Sequence, residues 1–364
     1  MFNRDLSDNR LQLDSLDGLR GVAAFIVFLS HTSLFGMHLL PGVNFSGIGK
    51  NGVYLFFLLS AFLLTIPFLK YEGPSLNRGF FLNYAVRRFL RIYPLYALYL
   101  LIAVVVTYMM NQTSAESGVK AFPLTLSINE ATDHLLLQAG KGVTWSIPVE
   151  FTYYLFLPFV ALGFRFASGW GISACTALLV ALLAPAYSLW PPSESLVNDI
   201  RLGPYLAIFF IGSYLSVLHL RWEKSGLSRN QQVMLEGSAW IAMLVQALMI
   251  PAILNLFLDQ DVPRNYAHTW FLGFALLWAP VLMASVHADL YIRKILSSRA
   301  CRYVGIISFS FYLWHLSVIE QLKFVLDLDG TLMGWTCLIA ALALSHLTWF
   351  LVEKPFSRIR LKSR

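Results

Sequence analysis

Apolar runs separated by short polar segments repeat along the whole chain. A bilayer has a hydrocarbon core of ~30 Å, which an α-helix crosses in about 20 residues. Windows of about 19 mainly apolar residues therefore mark candidate spans. The pattern predicts an all-α fold, a polytopic transmembrane bundle of about ten helices. The predicted spans cover residues 19–40, 52–69, 92–110, 144–164, 171–190, 202–220, 233–258, 268–287, 304–325 and 332–352.

The basic residues fall unevenly on the two sides of these predicted spans. Lysine and arginine collect in the cytoplasmic loops of membrane proteins, so their distribution indicates orientation. With the N-terminus inside, most of the 27 lysines and arginines lie in inner segments. An even number of helices returns the C-terminus to the same side, so we expect both termini to be cytoplasmic. The outer side then holds Lys50, Lys120, Lys141, Arg201, Arg264 and Lys323.

The composition is that of an integral membrane protein. The 364 residues are 57% hydrophobic and 13% charged, with a mean hydropathy of +0.62, whereas a soluble domain carries about twice that charged fraction. We interpret the net charge of +7 as topological. Cys175 and Cys337 lie inside apolar runs, which indicates neither a disulfide framework nor a metal site. We expect one membrane domain over residues 1–364, with no appended soluble domain and no nucleic-acid partner.

The first predicted span carries a histidine. His31 follows Leu19 by 12 residues, roughly 18 Å along a helix, so we expect it just past the membrane midplane. Asp17 and Arg20 stand three residues apart at the start of this span, on one helix face, and can form an ion pair. A histidine at this depth either bridges helices through hydrogen bonds or transfers protons.

Three arginines precede the third predicted span. On a helix, Arg87, Arg88 and Arg91 crowd one side at the cytoplasmic surface, where their like charges repel. A polyanion would relieve the repulsion, and guanidinium groups match phosphate oxygens. Phosphate binding and simple anchoring of the helix at the cytoplasmic surface remain equally supported by the sequence.

Two further stretches place polar groups inside apolar spans. Glu150 follows Trp145 and Ser146 at about 6 residues, or ~9 Å, from the outer end of the fourth span, where an unpaired carboxylate is costly. It either pairs with a basic neighbour or faces His31 or a hydroxylated substrate. His315 closes the run 308–315 at a depth similar to that of His31. A structural hydrogen-bonding role is the favoured interpretation for His315.

Six motifs follow one another over nearly the whole chain. They are Leu16-Asp17-Gly18-Leu19-Arg20-Gly21 leading to His31, Gly49-x-x-Gly52-Val53 with Phe56-Phe57-x-x-Ser60, Arg87-Arg88-x-x-Arg91-Ile92-x-Pro94, Trp145-Ser146 with Glu150, Tyr312-Leu313-Trp314-His315, and Glu353-Lys354-Pro355. The set resembles the acyltransferase 3 family, bacterial integral membrane O-acyltransferases that modify carbohydrates and glycoconjugates. Ala61 departs from the pattern, since a glycine usually follows the serine at position 60, and we expect it to alter local packing rather than chemistry.

The resemblance implies roles for the residues of these motifs. Arg88 and Arg91, with Arg87 and Arg20, would hold the phosphates of coenzyme A, and Asp17 would hold Arg20. His31 would be catalytic, either deprotonating the acceptor hydroxyl or carrying the acyl group itself. Glu150 would orient or recharge this acid–base system from outside. The supporting residues would be Trp145, Ser146, Tyr312 and His315.

The resemblance also implies the reaction and its location. An acyl group, most often acetyl, would pass from cytoplasmic acyl-CoA, a co-substrate rather than a tightly bound cofactor, to a hydroxyl of a sugar, glycolipid or glycosylated acceptor. We expect a multi-pass protein of the bacterial inner membrane, without a metal, acting alone or with a separate extracytoplasmic transferase partner. A proton-coupled transporter or lipid flippase for an anionic substrate is the alternative, with His31, Glu150 and His315 relaying protons.

Overall fold

The computed structural model describes residues 2–71, 77–117, 125–191, 198–258, 261–263, 266–326 and 329–359. These residues form helices and connecting loops, so the all-α prediction is confirmed for this part of the chain. The helices are α1 Phe2–Leu34, α2 Gly49–Lys70, α3 Arg78–Ser117, α4 Ile128–Leu135, α5 Ser146–Ser168, α6 Ile172–Leu189, α7 Leu206–Ser225, α8 Arg229–Leu248, α9 Pro251–Leu258, α10 Tyr266–Thr269, α11 Phe271–His287, α12 Tyr291–Leu296, α13 Arg299–Ile306, α14 Ser308–Leu326, α15 Gly330–Thr348 and α16 Lys354–Ser357, with 3₁₀ turns Gly142–Trp145 and Gly203–Tyr205 and a π-helix Trp349–Glu353.

The described helices make this a multi-pass membrane protein. Six segments are long and apolar enough to cross a bilayer, or up to eight if the bent pairs α8–α9 (75°) and α13–α14 (76°) each count as one span. The count of ten helices and the cytoplasmic termini remain predictions. Lys120 and Arg264, which entered the orientation argument, lie outside the described residues. The six segments are Gly49–Lys70, Arg78–Met109, Gly142–Ser168, Ile172–Leu189, Gly203–Ser225 and Gly330–Ser357.

Three predicted spans were drawn too simply, and one of them, 304–325, crosses the 76° bend between α13 and α14. The first was expected to run to residue 40, but α1 ends at Leu34. Gly36 adopts a left-handed conformation (φ +78°), and the Met37 N–H donates to the Thr32 carbonyl at 2.9 Å, which is the usual glycine cap of a helix C-terminus. The span 233–258 is two helices, because the second begins at Pro251, which cannot donate a helical hydrogen bond.

The chain divides into two compact units. The first unit comprises Met1–Ser30, Phe45–Glu72 and Val149–Ser308, and the second comprises His31–Asn44, Gly73–Pro148 and Phe309–Arg364. Each unit is assembled from segments that are distant in sequence. A single functional domain over residues 1–364 remains a prediction.

The first unit is held by close contacts between helix backbones. A Cβ on Gly212 of α7 would lie 2.5 Å from the Leu58 carbonyl oxygen and 2.7 Å from the Ala61 Cβ of α2, so these two helices approach where side chains are smallest. Ala61 is completely buried in this contact. The departure from the family pattern at position 61 therefore lies in helix packing.

Glycines of the first motif and of α13 bring α1 against the α12–α13 segment of the same unit. A Cβ on Gly18 would lie 2.0 Å from the Leu296 carbonyl oxygen, and one on Gly305 would lie 1.7 Å from the Asp17 carbonyl oxygen. Neither position has room for a side chain unless the backbone shifts. The motif that carries Asp17 and Arg20 is thereby fixed by backbone contact.

Residues 125–141 of the second unit form a fold-back segment that packs along α3. The Leu126 N–H donates to Thr107 Oγ1 at 2.7 Å, and farther along, the hydroxyls of Tyr93 and Tyr96 donate to the carbonyls of Leu135 and His134. These carbonyls belong to the last turn of α4, where a helix leaves its acceptors unpaired. The second half of the loop predicted outside is therefore an ordered element packed on α3.

A capping box begins this short helix. The Ser127 N–H donates to Glu130 Oε2 at 2.7 Å, and the Glu130 N–H donates to Ser127 Oγ at 3.2 Å. The hydrogen bonds of Ser127 lower the pKa of the Glu130 carboxyl, which therefore stays ionised at the positive end of the helix dipole.

Candidate active site

The two histidines singled out by the sequence meet in the second unit. His31 lies in the last turn of α1 and His315 in α14. His31 Nδ1 is 2.8 Å from His315 Nε2, and the rings are stacked with centroids 5.1 Å apart and planes inclined by 23°. His315 is fully buried, whereas His31 is partly exposed. The prediction that both histidines lie at one level agrees with this geometry.

Hydrogen bonds of His315 determine which nitrogens carry protons when both rings are neutral. His315 Nδ1 lies 2.7 Å from the Tyr312 carbonyl oxygen and 3.2 Å from that of Phe311. A carbonyl oxygen only accepts, so Nδ1 carries the proton and Nε2 is an acceptor. His31 Nδ1 must then donate to it, which leaves the His31 Nε2 lone pair unprotonated. Among the described residues, that nitrogen has no hydrogen-bond donor.

The Trp145-Ser146 motif is anchored on the same turn of α14. The Tyr312 hydroxyl donates to the Val143 carbonyl at 2.8 Å, and Ser146 Oγ lies 2.9 Å from the Tyr312 oxygen. Trp145 and Ser146 are both buried. Because the Tyr312 carbonyl also accepts from His315, one tyrosine connects the 3₁₀ turn at Gly142–Trp145 to the histidine pair.

The three arginines lie on one helix, as the sequence predicts. They belong to the N-terminal part of α3, where Arg87 is exposed and Arg88 and Arg91 are partly buried. Within the described part of the chain, Arg87 and Arg91 form no ion pair. Their charges are therefore available to an anion.

The arginine segment and the histidine pair belong to the same unit. Arg91 and Tyr99 are eight residues apart on α3, or about 12 Å along its axis. The Tyr99 hydroxyl lies 3.1 Å from Ser317 Oγ, two residues beyond His315. The arginines thus lie about two helical turns from the level of the histidines.

The C-terminal motif joins this arrangement. The π-helix Trp349–Glu353 and α16 both pack on α3. Ser310, near the start of α14, donates to Glu353 Oε2 at 2.9 Å. Glu353 therefore connects the helix that bears His315 with the element that packs on the arginine-bearing helix.

The remaining predicted site residues lie in the first unit. Arg20 Nη1 is 3.3 Å from Asp17 Oδ1, so the expected ion pair is present. Glu150 Oε1 accepts hydrogen bonds from the Ser60 hydroxyl at 2.6 Å and from the Tyr154 hydroxyl. In the described residues Glu150 is held by hydroxyl groups and not by a basic side chain, which leaves Oε2 as an open acceptor.

Sequence reasoning missed two features. One is a cavity of about 190 Å³ in the second unit, beside the residues that follow His315. Glu320 could have indicated this cavity, because it is the single carboxylate of α14 and lies five residues after His315 in an apolar run. The other is a second histidine pair, His219 and His287, in the first unit. The cavity's polar wall includes Tyr99, His134, Lys141, Thr144, Ser317 and Glu320.

The chain belongs to the acyltransferase 3 family, whose acyltransferase domain matches residues 13–352. It is 24% identical over 368 residues to a provisionally named peptidoglycan O-acetyltransferase of Bacillus subtilis (strain 168), covering 94% of this chain and 54% of that protein. It is 24% identical over 384 residues to the peptidoglycan O-acetyltransferase OatA of Listeria monocytogenes, covering 96% of this chain and 56% of OatA. The chain therefore spans little more than half the length of these relatives. No solved structure matches it.

Proposed function

We propose that this protein is a membrane O-acyltransferase that moves an acyl group, most simply acetyl, from cytoplasmic acyl-CoA to a hydroxyl of a sugar or glycoconjugate. The observation that carries the proposal is the unprotonated Nε2 of His31, fixed through His315 and the Tyr312 carbonyl. Family membership and relatives named as O-acetyltransferases support the same reaction.

The lone pair of His31 Nε2 suits either of two routes. As a general base it takes the proton of the acceptor hydroxyl while that oxygen attacks the thioester carbonyl. The carbon–sulfur bond then breaks, and the proton passes to the departing thiolate, which leaves as CoA thiol. As a nucleophile, the same nitrogen attacks the thioester carbonyl, and the carbon–sulfur bond breaks to release CoA thiolate. The acceptor hydroxyl then attacks the acyl group, the nitrogen–acyl bond breaks, and the hydroxyl proton passes to the thiolate to give CoA thiol. In both routes the positive charge on His31 is stabilised by its Nδ1–H bond to His315.

Arg88 and Arg91, with Arg87 at the surface, are the proposed phosphate ligands. Binding the phosphates of coenzyme A would neutralise arginines that otherwise repel one another along α3. The thioester must then reach the histidine pair, about 12 Å farther along that helix. Arg20, paired with Asp17, and Glu150 belong to the first unit, and their roles stay predictions that rest on the family resemblance.

A proton-coupled transporter is the competing function, and the histidine pair bears on it. A relay needs a group at each end that can accept a proton and pass it on. The pair ends instead at the Tyr312 carbonyl, which accepts a hydrogen bond but does not transmit a proton. This supports a histidine that exchanges protons at one end, as in an enzyme.

The test uses purified protein in detergent with acetyl-CoA labelled in the acetyl group and a methyl glycoside as the acceptor. We expect wild-type protein to release CoA thiol and His31→Ala to release none, while size-exclusion profiles stay equal. Label recovered on wild-type protein that is denatured at neutral pH without acceptor would identify the nucleophilic route, and label found only on the acceptor would identify the general-base route. Equal release by both proteins, or no release from a panel of acyl-CoAs that bind, would overturn the proposal.

A further inference from the structure

The cavity of about 190 Å³ lies where three segments of the second unit meet. Tyr99 of α3 forms one wall, His134 and Lys141 of the fold-back segment form another, and Ser317 and Glu320 of α14 complete it. Leu316 and Ser317 in its wall directly follow His315. The cavity is therefore built on the turn of α14 that positions the histidine pair.

Its lining combines apolar side chains, Leu126, Val143 and Leu316, with polar ones that are mostly buried. Tyr99, His134, Thr144 and Ser317 each expose at most 8% of their surface. His134 Nδ1 lies 2.7 Å from the Glu130 carbonyl, so in the neutral ring Nδ1 carries the proton and Nε2 is an acceptor. The Tyr99 and Ser317 hydroxyls share one hydrogen bond, which leaves unused capacity on both oxygens. A pocket of this kind suits a ligand rich in hydroxyl groups.

Two opposite charges line the cavity without pairing. Within the described ranges Lys141 and Glu320 form no ion pair, and the Lys141 ammonium donates to the Thr125 carbonyl at 3.4 Å. Glu320 receives no hydrogen bond from any described residue. A carboxylate in such a cavity needs donors, and an ammonium needs acceptors. One ligand that offers both, and carries no net charge, satisfies the two groups at once.

The size of the cavity limits the ligand. Pockets for drug-sized ligands enclose roughly 300–1,000 Å³, so about 190 Å³ holds one sugar ring rather than two. Lys141 and Gly142 at the rim are exposed. Lys141 also falls on the side predicted to be extracytoplasmic, opposite the arginines. A large anion such as coenzyme A does not fit this space.

We propose that this cavity binds a single uncharged hexopyranose unit of the acceptor. Glu320 accepts hydrogen bonds from ring hydroxyls, and Lys141 donates to hydroxyl or acetamido oxygens of the same ring. The sugar thereby presents a hydroxyl toward the turn of α14 that carries His315, the partner of His31. This assignment rests on the proposed function and specifies its acceptor site.

The experiment measures glycoside binding separately from CoA release. Methyl glucoside, methyl N-acetylglucosaminide and methyl glucuronide are titrated into wild-type protein, Glu320→Gln and Lys141→Met in detergent, with binding followed by saturation-transfer NMR. Lys323→Met is the matched control, because Lys323 lies on the same helix as Glu320 but pairs with Asp329 outside the cavity. We expect both neutral glycosides to bind wild-type protein and Lys323→Met equally. Each cavity variant should bind them about tenfold or more weakly, since each loses a charge-assisted hydrogen bond.

The outcomes separate the acceptor site from the overall function. Wild-type protein that releases CoA but binds no neutral glycoside, binds the glucuronide more tightly, or binds as well after Glu320→Gln would overturn the cavity assignment and leave the acyltransferase standing. Glycoside binding that is lost in the cavity variants, in a protein that cleaves no acyl-CoA, would support the sugar site and refute the acyltransferase.

Discussion

The described residues include two histidine pairs, one in each unit, that have nearly the same contact distances but different ring inclinations, 23° and 52°. In the second unit, His31 Nδ1 lies 2.8 Å from His315 Nε2, with ring centroids 5.1 Å apart. In the first unit, His219 Nδ1 lies 3.0 Å from His287 Nε2, with centroids 5.0 Å apart. Distance alone does not distinguish them.

The surroundings of the two pairs differ. The His315 ring is fixed by a backbone carbonyl, so the protons of the whole pair are assigned. His219 and His287 instead lie against the edges of aromatic rings, Phe62 and Trp222, and in the described residues no carbonyl fixes either ring. A histidine contact becomes a candidate base only when something outside the pair sets its tautomer. The first-unit pair is therefore a natural control for the second.

The largest expected difference is between His31→Ala and His219→Ala. Removing a general base costs ~10²- to 10⁴-fold in rate, and removing a nucleophile costs at least as much, so His31→Ala should leave no measurable turnover. His219→Ala should retain wild-type turnover, with only a lower melting temperature from the lost contact. Both variants are assayed for CoA release and thermal unfolding. Comparable losses of activity in the two variants would remove the distinction between the pairs.

The next largest effect is expected at His315, the positioning partner. His315→Leu removes the acceptor for His31 Nδ1–H, and we expect kcat to fall by up to ~10⁴-fold, the loss seen when a catalytic histidine is left in the wrong tautomer. The KM for acetyl-CoA should not change. His315→Gln retains a carbonyl oxygen at the accepting position and should restore much of the rate, whereas His287→Leu should match wild type. A Gln variant as inactive as the Leu variant would argue for packing rather than orientation.

The arginines give a smaller effect, on binding rather than turnover. Arg88→Ala or Arg91→Ala should weaken acetyl-CoA binding by ~10- to 100-fold, because a hydrogen bond to a charged group contributes ~1.5–3 kcal/mol. The control is Arg221→Ala, an exposed arginine of the first unit. Calorimetric titration with acetyl-CoA at two salt concentrations measures the affinity of the α3 variants and of this control. Unchanged affinity in the α3 variants would reduce these arginines to topological anchors.

The smallest effect is expected at Glu150. Glu150→Gln keeps an oxygen that can accept from Ser60 and Tyr154, so the fold of the first unit should be retained. We expect about a tenfold loss of turnover with acetyl-CoA affinity unchanged, since a charge-assisted hydrogen bond becomes a neutral one. A variant defective in acetyl-CoA binding alone would contradict the proposed role.

The sequence predicted where helices exist better than where they end. Long apolar runs must be helical in a bilayer, because every backbone polar group needs an internal partner. The end of α1 depended instead on one left-handed glycine, Gly36, and the break between α8 and α9 on a proline that many membrane helices tolerate. A sequence shows every glycine and proline, but it does not show which of them ends a helix.

The candidate site was predictable in its residues but not in its protons. Depth along two helices suggested that His31 and His315 share a level. The orientation of each ring, and hence the free nitrogen of His31, depends on χ angles and on the Tyr312 carbonyl. The cavity was still less accessible, because Lys141 and Glu320 come from segments that hydropathy assigns to a loop and to a span. Only tertiary packing brings them to the same cavity.

The fold-back segment also has a consequence for how this protein is made. At eight residues, α4 is too short to cross a bilayer. The translocation machinery would therefore release it as a loop after α3 is inserted. Its final place depends on the tyrosines of α3, which are already present, and the neighbouring Gly142–Trp145 turn depends on Tyr312, which is synthesised much later. The sugar-sized cavity is thus completed only when α14 arrives, so a nascent chain cannot engage an acceptor there before nearly the whole polypeptide is in the membrane.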